Sequence, residues 1–102
     1  MISYRLTQDA DADLSAILWQ GLETFGVHQT ERYLTSLEEL FAQLSLFPQS
    51  GRLRSDIRPP VRILPYRAHV IVYEQTKTEV VILRIRSARE DWTTDPLGTD
   101  EP

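Results

Sequence analysis

Two hydrophobic repeats run along this chain, and each predicts a different kind of element. Ile2, Tyr4 and Leu6 alternate with polar Ser3, Arg5 and Thr7, the period of a short half-buried strand. Ala10, Leu14, Ile17, Leu18, Leu22 and Phe25 then recur at three- and four-residue spacing, one stripe of a helix. Thr7 is placed to cap it, Asp9 and Asp11 sit at the positive end of its dipole, and Gly26 stops it. A second stripe follows through Thr30, Tyr33, Leu34, Leu37, Leu40, Phe41 and Leu44, ended by Pro48. The short Gly26-Val27-His28 connection makes the two helices an antiparallel hairpin.

Past Pro48 the period changes from helical to extended. Residues 48–60 read as a loop or weak edge segment, because Pro59 and Pro60 cannot sit in a central strand. Val61–Leu64 is a short strand that Pro65 places near an edge or bulge. His69–Glu74 and Glu79–Arg86 are the two strongest strands, joined by the hairpin link Gln75-Thr76-Lys77-Thr78. The expected fold is α+β: an N-terminal strand added at the side of the sheet, a helical hairpin, then a three-stranded antiparallel meander. Residues 1–92 form the single domain, and residues 93–102 read as a disordered acidic tail.

Charge sharpens the picture. The formal charge of −4 conceals a polarised chain. From Arg52 to Arg89 nine bases face three acids, whereas residues 1–51 and 90–102 each carry a net −5. Ten of the eleven bases are Arg, whose planar fork of donors grips carboxylates and phosphates at two points. An anionic partner follows, but the acidic ends oppose direct nucleic-acid binding, which is not expected. No cysteine is present, and His28 and His69 lie too far apart for metal-ligand spacing, so no disulfide, metal or cofactor is expected. No apolar run is long enough to span a bilayer and no secretory leader is visible, which implies a cytoplasmic protein.

Specific residues carry a family resemblance. Tyr4-Arg5-Leu6-Thr7, Ala10, Asp13-Leu14, Ile17, Gly26 and the Tyr33/Leu37/Phe41 helix come first. Phe47-Pro48-Gln49-Ser50-Gly51-Arg52, Asp56-Ile57-Arg58, Val61-Arg62, His69-Val70-Ile71-Val72-Tyr73 and Ile82-Leu83-Arg84-Ile85 follow, ending at Arg89. In order and spacing these resemble the ParE/RelE toxin superfamily over residues 2–92. The resemblance implies a helical hairpin on a twisted antiparallel sheet, and either one of two activities or a toxin fold that has lost toxicity and serves only as a repressor partner. RelE-like members cut messenger RNA on the ribosome. ParE-like members bind and block DNA gyrase and are neutralised, in a hetero-oligomer, by a ParD-like antitoxin.

The residues favour the binding branch. Attack by an RNA 2′-hydroxyl needs a proton acceptor, a charge stabiliser and a proton donor. Arg62 and Arg84 fall where ribonuclease members keep arginines, and His69 is the rescue candidate for a proton carrier in the competing reading. A histidine at the start of a central strand reads first as structural, however, and Asp56 and Tyr66 have no identifiable partner. Elsewhere the expected lysines or glutamate are Arg52, Arg54 and Asp56, and a C-terminal His-Tyr or Tyr is Ser87-Ala88. Arginine is a poor base at neutral pH, so no catalytic residue is assigned. Arg84 and Arg86, sharing a strand face opposite Leu83 and Ile85, are expected with Arg89 and Trp92 to contact the target. Trp19, beside Ala12 and Ala16, and Leu46 lie off their helices' stripes. With Arg58 and Arg62 they are the expected antitoxin contacts.

Overall fold

A computed structural model describes residues 3–98, and Ile2 of the first alternating run lies outside them. In chain order the elements are β1 (Ser3–Leu6), α1 (Gln8–Thr24), α2 (Val27–Leu46), β2 (Arg52–Arg54), β3 (Val61–Tyr66), β4 (His69–Gln75) and β5 (Glu79–Ser87). The five strands form one sheet in the order β1-β5-β4-β3-β2. β1 runs parallel to β5 at one margin, while β2 to β5 are antiparallel neighbours. The side position of β1 and the β3–β4–β5 meander match the periodicity. β2 adds a three-residue strand to the opposite margin, where a loop or weak edge segment was expected. Pro65 belongs to β3 but lies beyond the stretch that pairs with β2, on a free margin where proline is tolerated.

Local chemistry explains the helix boundaries. Thr7 Oγ1 accepts from the Ala10 amide at 3.1 Å and donates to the Leu83 carbonyl at 2.9 Å, so one hydroxyl caps α1 and ties it to β5. Gly26, at φ 83°, makes the reversal between the helices, and α2 starts at once, so Val27 and His28 belong to its first turn. At Gly21 a Cβ would stand 2.7 Å from Thr30 Oγ1, so glycine permits the helices' close approach.

Each face of the sheet has its own core. Under the helices, Leu37, Phe41 and Leu44 of α2 pack with Ala10 onto Ile71, Tyr73, Val80, Ile82 and Ile85. Burial of the Leu, Ile, Val and Phe side chains among these supplies roughly 1.5–3 kcal/mol each. Tyr73 pins the chain between α2 and β2, for its hydroxyl accepts from the Gly51 amide at 2.7 Å and donates to the Pro48 carbonyl at 2.8 Å. Val61, Ile63, Val70 and Val72 line the outer face, where Ile57, Leu83, Trp92 and Leu97 cover them. Phe25, read as the end of the α1 stripe, is instead the residue that caps the helix and is 59% exposed.

The tail departs from expectation. Within the described residues, 93–98 fold back over the outer face, with Pro96 buried and Leu97 packed on the outer core. Hydrogen bonds from Arg84 and Arg86 to the carbonyls of Leu97, Asp95 and Pro96 hold this return, and composition alone does not reveal them. Gly98 completes it at φ 67°, where a Cβ would collide with the Arg84 guanidinium. Residues 99–102 of the expected tail lie outside the described residues.

Candidate functional site

The bulge in β5 decides where its arginines point. Tyr73 pairs with Ile82 and Val72 with Arg84, so Leu83 is an extra residue without a partner. Beyond it the alternation resets: Ile85 faces the helices, while Arg84 and Arg86 face outward beside Val72 and Val70. Leu83 packs into that same outer core rather than opposite the arginines, which corrects the simple two-residue alternation.

Both arginines are internal ties. Arg84 Nε and Nη2 donate to the two carboxylate oxygens of Asp13 at 2.7 and 3.0 Å, and Nη1 donates to the Leu97 carbonyl at 2.7 Å. The Ile85 amide donates to the same carboxylate at 2.8 Å, so Asp13 closes α1 onto β5. The Asp13 hydrogen bond holds the Arg84 guanidinium above its already high ordinary pKa. Arg86 is only 6% exposed. Its Nη1 donates to the carbonyls of Asp95 and Pro96 at 2.6 and 3.0 Å, and its Nη2 to Glu90 at 3.0 Å. Glu90 also accepts from the Ser87 amide at 2.9 Å, which with Arg86 draws its carboxyl below the usual range. Arg84 and Arg86, expected from the sequence to form a charged strand end for a target, are bonded within the chain. They position the C-terminal segment, with Trp92 half-buried among its contacts.

The residues of the competing ribonuclease reading do not meet. Register places Arg62 on the helix-side face, paired with Tyr73, and its Nη1 donates to the Gly51 carbonyl at 2.8 Å. His69 lies on that face four pairs away, about 13 Å at the rise of a strand. Arg84 projects from the opposite face. His69 Nδ1 lies 2.6 Å from the Tyr33 hydroxyl, and burial pushes its pKa down, which keeps the ring neutral near pH 7. Burial likewise raises Tyr33. Asp56 is held to about 2 by its hydrogen bond with Arg54 and is fully exposed, so it is an ionised surface acid rather than a poised base. Along the backbone Arg62 and His69 thus stand about 13 Å apart on one face, with Arg84 on the other.

The remaining candidates are at the surface. Trp19 and Leu46 are 65% and 62% exposed, and Arg58 and Arg89 are exposed. Among the described residues no cluster of three His, Asp or Glu side chains is placed to hold a metal, and no helix is long and apolar enough to cross a membrane.

Comparison with known proteins fixes the family. The model for the ParE toxin of the type II toxin–antitoxin system parDE matches residues 4–92. The chain belongs to the ParE toxin family. Toxin ParE3 of Caulobacter vibrioides is 35% identical over 83 residues, covering 81% of this chain and 83% of that protein. Toxin ParE1 of Mycobacterium tuberculosis is 30% identical over 89 residues, covering 86% and 91%. A structure of the chromosomal ParDE toxin–antitoxin system from P. aeruginosa superposes with a TM-score of 0.73 at 26% identity, over 85% of this chain and 96% of that one. The α+β architecture and the ParE branch expected from the residues are those of the family.

Sequence reasoning missed the residues that organise the site. Asp13 was legible only as a residue beside Leu14, since its partners lie 71 positions away. The Tyr33–His69 pair spans 36 positions and joins α2 to the start of β4. Arg67 had a weak signal, for it directly precedes Ala68-His69, where β3 must reverse into β4.

Proposed function

We propose that this ParE-family toxin acts in the cytoplasm by binding DNA gyrase, and that a ParD-like antitoxin holds it inactive in a hetero-oligomer. The observation that carries the reading is the dispersal of Arg62, Arg84 and His69, which leaves a rigid scaffold with exposed contact residues and no assembled reacting centre. Arg89 follows the β5 ties and stays exposed, so it is the charged contact of the target surface. Arg84, Arg86 and Trp92 support that surface from beneath. Trp19, Leu46 and Arg58 supply the antitoxin contact, and Arg62 steadies the Gly51 turn beside it.

The test is a gyrase supercoiling assay with purified full-length protein. Inhibition is expected, relief on adding the antitoxin is expected, and Arg89→Glu weakens inhibition at least tenfold. Rising salt should loosen the toxin–antitoxin complex, since acidic partner groups meet exposed arginines. Unimpeded supercoiling together with mapped messenger cleavage in a translation extract would reinstate the nuclease branch.

A further inference from the structure

We propose that the groove between the α1–α2 junction and the β3–β4 turn binds a nucleotide phosphate, gripped by Arg67 and Arg89 beside the Tyr33–His69 pair. The groove has a volume of about 1580 Å³, and its strand-side wall is formed by Arg67, Ala68, His69, Ser87, Ala88 and Arg89. This site goes beyond the gyrase reading and shares Arg89 with the target surface proposed there.

The first argument is where the positive charge remains free. Arg5, Arg54, Arg84 and Arg86 are each matched by a carboxylate within the chain. Arg32, Arg67 and Arg89 line the groove and, like Arg52, Arg58, Arg62 and Lys77 elsewhere on the chain, have no ion pair among the described residues. The acids that argued against phosphate approach are partly spent: Asp13 on Arg84, and Glu90 on Arg86. Glu31 and Glu39 lie on the α2 wall, which directs an anion to the strand side.

The second argument is backbone strain. Tyr66 pairs with His69, so Arg67-Ala68 is a two-residue hairpin link. Arg67 occupies its first position at φ 53°, where glycine is the unstrained choice. An arginine in that conformation costs roughly 1 kcal/mol, and a strained side chain at a groove rim points to function. The side chain is held by a cation–π contact beside the groove. Its guanidinium lies 5.3 Å from the Tyr66 ring centre, Tyr66 lies 6.5 Å from Tyr33, and Tyr33 lies 5.4 Å from His69.

The third argument selects the ligand. Guanidinium forks with hydroxyl and imidazole partners suit a phosphate ester, and exposed Phe25 on the same groove offers a ring face on which a base can stack. A phosphate and a base together describe a nucleotide.

Isothermal titration of the full chain tests this with inorganic phosphate, AMP, a single-stranded RNA tetranucleotide, and an acidic hexapeptide. AMP or the tetranucleotide should bind at least tenfold tighter than inorganic phosphate. A preference for AMP identifies a free nucleotide as the source, and a preference for the tetranucleotide identifies a strand backbone. Arg67→Gly should weaken binding at least tenfold while raising Tm, because strain is relieved as the grip is lost. Arg89→Gln should weaken binding without raising Tm. No saturable binding of either nucleotide, undiminished binding by Arg67→Gly, or tighter binding of the acidic peptide would each overturn the proposal.

Discussion

Asp13→Ala should be the most damaging single polar substitution on α1. The Asp13 carboxylate accepts two bonds from Arg84 and one from the Ile85 amide, at 2.7, 3.0 and 2.8 Å. Truncation strands a guanidinium and an amide at the α1–β5 seam. Removing one partner of a fully buried pair costs about 3–5 kcal/mol. Here the two side chains keep 21% and 16% of their exposure, so water returns part of that loss. After this discount for solvent screening we expect about 2–3 kcal/mol. A domain of this size loses about 4–8 °C per kcal/mol, giving a fall in Tm of roughly 10–20 °C. Asp13→Asn keeps an acceptor for the Ile85 amide and should cost about half as much. Asp13→Ala with Arg84→Met removes the stranded cation and should recover at least about 1 kcal/mol relative to Asp13→Ala alone. Urea unfolding monitored by tryptophan fluorescence measures all three. A loss below about 1 kcal/mol for Asp13→Ala, or a double variant less stable than either single one, would refute the seam.

Other substitutions probe separate ties. Tyr73→Phe leaves the Gly51 amide and Pro48 carbonyl without their buried partner and should cost about 2 kcal/mol in chemical denaturation. Gly21→Ala forces a methyl against Thr30, so despite better helix propensity it should destabilise by about 1–2 kcal/mol. Thr30→Val should stabilise by about 1 kcal/mol, because the Thr30 hydroxyl is buried without a hydrogen-bond partner. Three pKa values are depressed, and because Asp56 is exposed to solvent screening, His69 and Glu90 set the acid limb. His69 favours its neutral form on folding, so its contribution is full above its unfolded value near 6.5 and is lost as pH falls through the lower folded value. The Glu90 contribution is full above about 4.3 and is likewise lost below it. A pH series of Tm should show both losses, and Glu90→Gln should flatten only the more acidic one.

Repeats of local origin were legible in the chain, whereas long-range pairings were not. The α2 stripe exposed its core residues because Leu37, Phe41 and Leu44 face the sheet at every turn. β4 and β5 announced themselves through continuous apolar content, as strands covered on both faces do. The bulge at Leu83 left no mark in that content, and it moved Arg84 and Arg86 into a setting the two-residue period does not foresee. The tail was misread for the same reason. Its composition is that of disorder, but two arginines supply its carbonyls with donors, and Trp92 and Leu97 supply apolar contact. The acids and bases that looked like rival blocks in the sequence are in part each other's partners. Only the bases left outside those pairs stay open to the anionic partner inferred from the whole basic block.

Calorimetric titration of the purified toxin into DNA gyrase addresses the central claim most directly. A fixed saturating stoichiometry is expected, with supercoiling lost in step with occupancy and both proteins recovered chemically unchanged. Absence of binding, or inactivation of many target molecules by one toxin, would contradict it.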